Sequence, residues 1–426
     1  MTPRRRPDNG WVRSVKEHQR VVAEMIRARP AASVSLTEAH GLVLADDVVA
    51  QLPLPVFDNS AMDGYAVRAE DTSGTTPEHP VILPVAEDIP AGRTDELTLQ
   101  PGTAHRIMTG APVPAGATAI VPVEATDGGS ENGGASVAIR EAPQPGKHIR
   151  RAGEDVAAGT TVLRNGQLVT PAMLGLAAAL GMAELPVIPR QRVLVISTGS
   201  ELVSPGGPLL PGQIYESNAI MLAGAVRDAG AAVVATATAG DDVAQFSSIL
   251  DRYAADADLI ITSGGVSAGA YEVVKDAFGR AGEQGVEFVK VAMQPGMPQG
   301  IGRLRTNGAD ITIVTLPGNP VSALVSFEVF IRPALRTAMG LPDPDRPQRS
   351  AVLTETLTSP DGKRQFRRAI FNPPESGEGG VGTVVSYGPP ASHHLRWLAS
   401  ANGLLDIPED VVEVSAGTQL QVWDLT

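Results

Sequence analysis

The chain has 426 residues, 43% of them apolar, and this length predicts more than one domain, with two to four as the expected range. Cysteine is absent, which excludes disulfides, thiolate metal sites and cysteine nucleophiles. The formal net charge of −13 argues against nonspecific binding to nucleic acid, because that affinity comes largely from cationic contacts to phosphates.

The sequence carries no sign of export or of a membrane span. Its first residues, MTPRRRPDNGWVRSVKEH, lack the apolar core of a signal peptide. No apolar run approaches the ~20 residues that cross a bilayer. We therefore expect a cytoplasmic protein with no membrane partner.

The first predicted element is a helix in SVKEHQRVVAEMIRARP. Ser14 can cap it, Glu17 completes a capping-box pattern, and Pro30 is expected to end it. His18 lies near the apolar face of this helix. A half-buried structural histidine is therefore a better interpretation than a functional one.

A β-rich module follows in residues 51–146, where short β-type runs are separated by proline and glycine. Its segment FDNSAMDGYAVR predicts a tight turn that places Asp58 and Asp63 near each other. Each carboxylate could simply bond the backbone of its own turn. The texture of residues 12–50 returns in residues 147–188, so the module is interpreted as an insertion in a discontinuous, elongated first domain.

Residues 189–340 alternate strands with amphipathic helices, which is typical of βαβ units and a mainly parallel sheet. Right-handed crossovers would bring the turns that follow the strands to one edge. Those turns are STGSEL, AGDD, TSGGVSAG, MQPGMPQG and LPGNP. Turns and helix starts at the carboxyl edge of such a sheet favour anions, so we expect a site for a phosphate- or oxyanion-bearing ligand.

Charged side chains accompany these turns, namely Glu201, Asp241, Glu272, Lys275 and Lys290. Carboxylates at several strand ends suit a hard cation such as Mg²⁺, which takes one or two carboxylates plus substrate phosphates and water. Simpler explanations stay open at two positions. Glu272 and Lys275 could be an ordinary i,i+3 surface pair, and Asp241 with Asp242 could be a helix cap.

The last part, residues 341–426, begins with the linker PDPDRPQRS and continues as short strands with turn residues between them. This pattern predicts a small C-terminal β-barrel. The predicted fold class is therefore multidomain α/β plus β. A central αβα domain with a mainly parallel sheet is joined by an inserted small β-module, a C-terminal β-barrel and the discontinuous N-terminal domain.

Six stretches, in chain order, resemble the MoeA family. They are FDNSAMDGYAVR, RIMTGAPVPAGATAIVPVE, RRAGEDVAAGT, VLVISTGSELV with PGQIYESNAIML, IITSGGVSAGAYEVVKDAF and LPGNPVSALVSF. The family consists of molybdopterin molybdenumtransferases and is related to the E domain of gephyrin. The resemblance covers nearly the whole chain and implies that residues 189–340 form a molybdopterin-binding domain.

The reaction implied by this resemblance inserts molybdate into adenylylated molybdopterin, with Mg²⁺-dependent cleavage of the adenylate and release of AMP. Charge neutralisation and positioning, rather than covalent help, are what cleavage of a phosphoanhydride requires. Family members are generally homodimers with an active site composed from both subunits. A molybdopterin adenylyltransferase is the implied upstream partner.

Site residues carry over from the family by motif position. The implied catalytic residues are Asp63, whose carboxylate would assist adenylate cleavage, with Asp241, Lys275 and Lys290. The implied metal ligands are Asp241, Glu201 and Glu272. The implied substrate-binding residues are Thr109, Glu201, Gly264, Gly265, Ser267, Gln294, Asn319, Arg368 and Ser392, of which Arg368 and Ser392 would hold the oxyanion.

Three departures from the family pattern concern this site. Gln294 and Met297 stand where the family often has lysines, Glu272 where Asp is frequent, and Ser200 where Asp is often seen. Losing two ammonium groups beside a dianionic metal oxide predicts weaker binding unless Arg368 or other cations compensate. The departures leave open whether this is a housekeeping enzyme or a specialised paralogue.

Other functions remain open at this point. A molybdopterin adenylyltransferase shares the αβα fold, but it would need neither the inserted module nor the barrel. A non-catalytic scaffold or paralogue could keep the whole fold, although retention of Asp63, Asp241, Lys275 and Lys290 argues against lost catalysis. The sequence does not distinguish molybdate from tungstate.

Overall fold

The computed structural model describes residues 12–128, 135–264, 285–306, 309–374 and 381–426. The chain divides into two compact units, which we call unit 1 (Met1–Ala32 with Ile188–Thr426) and unit 2 (Ser33–Val187). The discontinuous character of unit 1 follows from this division. The four predicted domain ranges divide the chain differently, since the predicted range 12–50 spans parts of both units, and they stay a prediction.

Unit 2 is built mainly from short strands. Its strands, with β2 and β13 at its limits, are β2 (Ala32–Ser35), β3 (Val43–Leu44), β4 (Val48–Val49), β5 (Asn59–Ser60), β6 (Gly64–Val67), β7 (Val81–Ile89), β8 (Ala104–Ile107), β9 (Ala119–Pro122), β10 (Ser136–Ile139), β11 (Ile149–Arg150), β12 (Thr161–Leu163) and β13 (Glu184–Ile188). Its α-helices are α2 (Leu36–Ala39) and α3 (Pro171–Ala179). A five-stranded sheet with the order β10-β7-β8-β6-β9 forms the inserted β-module.

Unit 1 contains the first strand, β1 (Val12–Arg13), the first helix, α1 (Val15–Met25), and the remaining strands. These are β14 (Arg192–Thr198), β15 (Leu202–Val203), β16 (Ile214–Tyr215), β17 (Ala232–Ala239), β18 (Leu259–Ser263), β19 (Val286–Val291), β20 (Met293–Gln294), β21 (Pro298–Thr306), β22 (Ala309–Leu316), β23 (Gln348–Leu353), β24 (Leu357–Thr358), β25 (Arg364–Asn372), β26 (Gly382–Ser386), β27 (Gly403–Ile407), β28 (Glu413–Val414) and β29 (Gln419–Asp424). The helices are α4 (Asn218–Asp228), α5 (Val243–Tyr253), α6 (Pro320–Ser326), α7 (Arg332–Ala338) and α8 (Leu395–Ser400), with a π-helical turn at Phe327–Ile331 between α6 and α7.

Helix α1 begins where the capping pattern predicts, because Ser14 Oγ accepts a hydrogen bond from the Glu17 N–H at 3.2 Å. It ends at Met25, before the predicted stop at Pro30, and Ile26 is already extended. His18 is fully buried and meets the Phe330 ring edge-on at 4.7 Å. Burial lowers the pKa of His18 to about 4, so this histidine is structural, as expected.

The central sheet of unit 1 has seven strands in the order β1-β19-β21-β22-β18-β14-β17. Strands β14, β17, β18 and β22 pair in parallel, whereas β21 runs antiparallel to both β19 and β22. Strand β19 therefore points the same way as β22, and β1 pairs with β19 in parallel, so six of the seven strands run toward one edge. The predicted helix AYEVVKDAF lies outside the described residues.

Helices cover both faces of this sheet, which explains the continuous apolar runs in its middle strands. Val193 and Val195 of β14 belong to the core cluster that includes residues of α1, α4 and the helices after β22. Leu194 and Ile196 face the other side, in the cluster that includes residues of α5. Alternate residues of one strand thus serve two separate cores.

The C-terminal strands of unit 1 close into a barrel, as predicted, because β25 pairs with both β26 and β27 while β23 and β29 complete the circuit. Strand β20 adds to it in parallel, with Gln294 opposite Gln365. The turn after β19 is thereby attached to the barrel. Among the described residues, no helix combines the length and apolarity that crossing a bilayer requires.

Candidate functional site

In unit 2, Asp63 and Thr109 are brought together across 46 positions of sequence. Oδ1 of Asp63 accepts two hydrogen bonds from Thr109, from the backbone N–H at 2.7 Å and from the side-chain hydroxyl at 2.6 Å. These bonds lower the pKa of Asp63, with a smaller contribution from the nearby Arg106. The carboxylate is exposed and stays ionised at neutral pH.

Gly64, which follows Asp63, occupies a position where no side chain would fit. A Cβ on Gly64 would collide with the carbonyl oxygen of Val121 on the paired strand β9. The Asp-Gly pair therefore lets β6 approach β9 closely while the carboxylate stays at the strand's start. Asp63 is not the self-bonded turn residue of the simpler interpretation.

Asp58 has a different role from Asp63. Its carboxylate accepts hydrogen bonds from the Arg151 side chain at 2.5 Å and from the Ala152 N–H at 2.8 Å. Both partners belong to the RRAGED stretch, so Asp58 links this returning segment to the start of the module. The Ala152 N–H is the largest cause of its lowered pKa.

In unit 1, the turns after β14 and β17 are joined by Ser200, whose Oγ accepts a hydrogen bond from the Asp241 N–H at 2.9 Å. Glu201 and Asp241 thus lie on turns that contact each other, and both side chains are exposed. Gly199 precedes them with φ of 150°. A Cβ at that position would collide with the Glu201 carboxylate.

Asp242, rather than Asp241, caps helix α5 by accepting a hydrogen bond from the Ala244 N–H at 2.9 Å. Asp241 therefore keeps its carboxylate for another partner. Within the described ranges, no three His, Asp or Glu side chains are gathered closely enough to hold a metal ion. Glu272, the third predicted ligand, falls outside them.

Two glycine turns lie side by side at the ends of β18 and β22. The Gly264 N–H bonds the Leu316 carbonyl at 3.1 Å, and a Cβ on Gly318 would stand 3.5 Å from the Gly264 Cα. Gly264 has φ of +93°, and a Cβ there would lie 2.6 Å from the Thr198 carbonyl oxygen. Glycine is thus required by both backbone conformation and space.

The turn after β22 also contacts the barrel. The Asn319 amide donates to the Ser392 hydroxyl at 2.9 Å, and the Val321 N–H donates to the Ser392 carbonyl at 3.1 Å. Two predicted binding residues, 73 positions apart, are therefore hydrogen-bonded to each other. Ser392 holds the start of α6 through both its side chain and its backbone.

Arg368 of β25 lies close to this junction and is buried. Its guanidinium donates to the carbonyls of Ala391, at 3.0 Å, and Pro389, while its Nε finds no partner within the described part of the chain. Burial, followed by repulsion from Arg367, lowers the pKa of Arg368. An arginine remains charged in proteins, so an incompletely neutralised cation lies beneath a narrow pocket.

That pocket contains Gln294 as well as Arg368, together with Val321, Gln365 and Tyr387. The amide oxygen of Gln365, like the Arg368 Nε, is buried and unpartnered as far as the described residues extend. Four predicted binding residues thus surround the contact between the sheet edge and the barrel. They are Gln294, Asn319, Arg368 and Ser392.

The remaining predicted residues are less informative. Lys290 lies exposed on β19, where it pairs with Val12 and Pro298 along the backbone. Gly265, Ser267, Glu272 and Lys275 lie outside the described residues, so their roles stay predictions.

One residue at this edge had no assigned role at the level of the sequence. Asn218, the first residue of α4, donates to Ser263 at the end of β18 and to the Gly318 carbonyl. In the sequence, Asn218 stands in the stretch ESNAIML, within one of the motifs that resemble the family. An asparagine at a helix start has many ordinary roles, so sequence alone gave no reason to select it.

The fold is that of an α/β domain joined in one chain to a β-barrel and a β-module. Three family models match consecutive parts of the chain: the MoeA N-terminal region (domain I and II) over residues 13–181, a probable molybdopterin binding domain over 194–337, and the MoeA C-terminal region (domain IV) over 350–425. The chain belongs to the MoeA family.

Individual relatives agree with this assignment. The chain is 80% identical over 419 residues to molybdopterin molybdenumtransferase 2 of Mycobacterium tuberculosis, covering 97% of this chain and 100% of that protein. It is 36% identical to molybdopterin molybdenumtransferase 1 of the same organism, over 96% of this chain and 98% of that protein. The crystal structure of a molybdopterin biosynthesis MoeA protein from Pyrococcus horikoshii superposes with a TM-score of 0.73 at 26% identity, covering 97% of this chain and 99% of the other.

Proposed function

We propose that this protein is a molybdopterin molybdenumtransferase that inserts molybdate into adenylylated molybdopterin and releases AMP. The observation that carries the proposal is the 80% identity, over the full length, to a protein of that name. The geometry agrees with it, because one edge of unit 1 offers both glycine turns and a buried cation.

Binding of the anionic substrates is assigned to this edge. Backbone N–H groups at strand-end turns and helix starts favour phosphates. Arg368 supplies the positive charge next to Ser392, and its unpartnered Nε can donate to an oxyanion. The site thus compensates locally for the protein's net negative charge.

Asp63 is proposed to assist cleavage of the adenylate. Because its pKa is lowered by the two Thr109 hydrogen bonds, it acts as a carboxylate and not as a proton donor. A fixed carboxylate can accept a hydrogen bond from, or orient, the group that reacts at the phosphoanhydride. Such positioning is the main requirement of phosphoryl chemistry.

Mg²⁺ fits the donor set at the contacting turns. Glu201 and Asp241 offer two exposed carboxylates there, and substrate phosphates with water would complete the shell that this cation prefers. When bound, the cation would neutralise charge that develops on the phosphate oxygens. Ser200 supports this arrangement by fixing the backbone of Asp241.

We further propose a cytoplasmic homodimer in which Asp63 of one copy serves the edge of the other, with a molybdopterin adenylyltransferase upstream. The support is the family membership and a group of apolar side chains exposed on unit 1. Leu210, Ile214, Tyr215 and Ile220 are each at least 45% exposed within eleven residues of sequence. A second copy is the partner that would cover them.

The deciding experiment gives the purified protein adenylylated molybdopterin, Mg²⁺ and molybdate, and measures AMP. We expect AMP release that molybdate stimulates. Release no faster than in a control without enzyme would reject the proposal and favour a scaffold. Replacing molybdate by tungstate in the same assay tests which oxyanion is preferred.

A further inference from the structure

Asn218 connects three elements at the edge of the central sheet. Its Nδ2 donates to the Ser263 hydroxyl at 2.7 Å and to the Gly318 carbonyl at 2.6 Å. Ser263 directly precedes Gly264, so one amide at the start of α4 holds both glycine turns. Both hydrogens of the amide are used in this way, and only Oδ1 remains to accept a bond.

The Oδ1 atom of Asn218 is buried and has no hydrogen-bond partner among the residues that the structure describes. Buried acceptors are nearly always satisfied in native proteins, because leaving one unpaired destabilises the fold. The neighbouring carboxylate of Glu216 shows the usual situation, since it accepts from Ser197 Oγ at 2.7 Å and from the Ala219 N–H at 2.6 Å. The amide NH₂ group of Asn218 is thus fixed by two hydrogen bonds, whereas its amide oxygen is unsatisfied.

A second asparagine of unit 1 provides the contrast. Asn402, in the barrel, accepts from the Phe371 N–H at 2.7 Å and donates to the Phe371 carbonyl at 2.9 Å. Both ends of its amide are satisfied, as expected of a side chain that only supports the fold. Each of the two residues makes two hydrogen bonds, but only Asn218 keeps an amide oxygen that can still accept one.

We propose that Asn218 is a positioning residue for the pterin-bearing substrate. It fixes the Gly264 and Gly318 turns at the spacing that receives the ligand, and its unsatisfied Oδ1 is the acceptor that an N–H donor of the pterin completes. This inference rests on the proposed function, because the pterin is the substrate proposed there. The phosphate of the ligand, once ionised, has no hydrogen to donate, whereas the pterin ring carries N–H donors. The binding test uses molybdopterin without its adenylate, so that no donor of the adenosine can satisfy Oδ1.

The test measures the equilibrium binding of molybdopterin itself, quantified as its fluorescent oxidised form after rapid filtration, and AMP release separately. Asn218→Ala removes both donors and the acceptor, and Asn218→Asp keeps the size but cannot donate to the Gly318 carbonyl. Each should weaken molybdopterin binding by about tenfold or more, the effect of losing hydrogen bonds to fixed partners. Asn402→Ala, which also removes two hydrogen bonds, should lower the melting temperature but bind within about twofold of the unmodified protein.

Normal binding by either Asn218 variant would overturn the inference. So would an equal loss of binding in Asn402→Ala, since the effect would then reflect stability alone. Binding by the unmodified protein without AMP release would reject the proposed function and leave the role of Asn218 intact. Absence of molybdopterin binding by the unmodified protein would overturn both.

Discussion

The two units use different means to prepare their parts of the proposed site. Unit 2 contributes the exposed carboxylate of Asp63, whose ionised form is stabilised mainly by two hydrogen bonds from Thr109. Unit 1 instead gathers contributions from several strand ends and a barrel, through bonds such as Ser200 to Asp241 and Asn319 to Ser392. The proposed contribution of unit 2 therefore depends on one carboxylate, whereas that of unit 1 is spread over several side chains and backbone groups.

This difference has a consequence for mutational effects. A concentrated function should be lost in one step with little change in ligand affinity, because only the reacting centre is altered. A distributed surface should weaken gradually, since each contact supplies a fraction of the binding free energy. The experiments below test the contrast, in decreasing order of expected effect.

Asp63→Asn should produce the largest loss. It keeps the shape of the side chain but removes the charge, and AMP release should slow by roughly 10²–10⁴-fold, the range for a positioned acid–base group. Molybdopterin affinity should stay unchanged, because the role proposed for Asp63 is in adenylate cleavage and not in binding. Single-turnover AMP release and equilibrium binding measure the two quantities separately.

A matched control for Asp63 is Asp71→Asn in the same unit. Asp71 also accepts a backbone hydrogen bond, from the Gly102 N–H at 2.8 Å, but it is not a predicted site residue. Its variant should release AMP at the normal rate. If Asp63→Asn turned over normally, the carboxylate would be structural and the contrast between the units would fail.

Arg368→Lys should weaken the oxyanion site on the other unit. Arginine can donate to the carbonyls of Ala391 and Pro389 and still offer its Nε–H to a ligand. Lysine keeps the charge, but its single ammonium group cannot make all of these bonds in the same geometry. We expect the KM for molybdate to rise by roughly 10–100-fold, as for loss of a hydrogen bond to a charged group. Arg349→Lys, at an exposed barrel position paired with Asp424, is the control and should leave KM unchanged.

A change in kcat without a change in KM in Arg368→Lys would contradict this assignment. It would place the arginine with the chemical step and not with binding. Steady-state AMP release at varied molybdate concentration separates the two results.

Thr109→Val should have a smaller effect, because the backbone N–H bond to Asp63 remains. Removing the hydroxyl bond raises the pKa of Asp63 toward its ordinary value. A carboxylate-dependent activity is present above that pKa and is lost as pH falls through it, so the acidic limb of the pH–rate profile should move to higher pH. At neutral pH we expect a loss of about tenfold or less.

The control for this substitution is Thr103→Val, since the Thr103 hydroxyl donates to the Gln100 carbonyl of its own turn. Its pH profile should match that of the unmodified protein. An unshifted acidic limb in Thr109→Val would mean that Asp63 does not govern this part of the profile.

Sequence patterns predicted the parts of the fold that depend on local regularity. The alternating strands and helices of unit 1, the capped start of α1 and the barrel follow from periodicity and turn residues. Strand β21 was missed because its segment, PQGIGRLRT, has glycines where a strand usually has apolar side chains. Gly302 is needed there, since a Cβ would collide with the Gly285 carbonyl.

The site was predictable only as far as motifs extend. Spacing indicated that carboxylates and glycines follow several strands, but it could not show that Ser200 bonds Asp241 or that Asn319 reaches Ser392. Those contacts depend on which turns become neighbours after folding. Asn218 shows the limit clearly, because its role depends on two partners that lie 45 and 100 residues away in the chain.

The smallest expected effect concerns the turn that lacks the family's lysines. Gln294 lies in the same pocket as Arg368, so the double substitution Gln294→Lys with Met297→Lys adds charge next to the proposed oxyanion site. We expect the KM for molybdate to fall by about three- to tenfold at low salt, because repulsion from Arg368 offsets part of the gain. The benefit should shrink as salt screens the added charges.

Gln348→Lys provides the control, since it adds positive charge at an exposed barrel position outside that pocket. It tests whether the whole-protein field, rather than the local turn, governs affinity. An equal fall in KM for this variant would show that the net charge of −13 limits molybdate binding at long range. An unchanged KM in the double variant would instead mean that Arg368 and the backbone turns already supply the binding energy, so that the distributed surface tolerates a neutral turn.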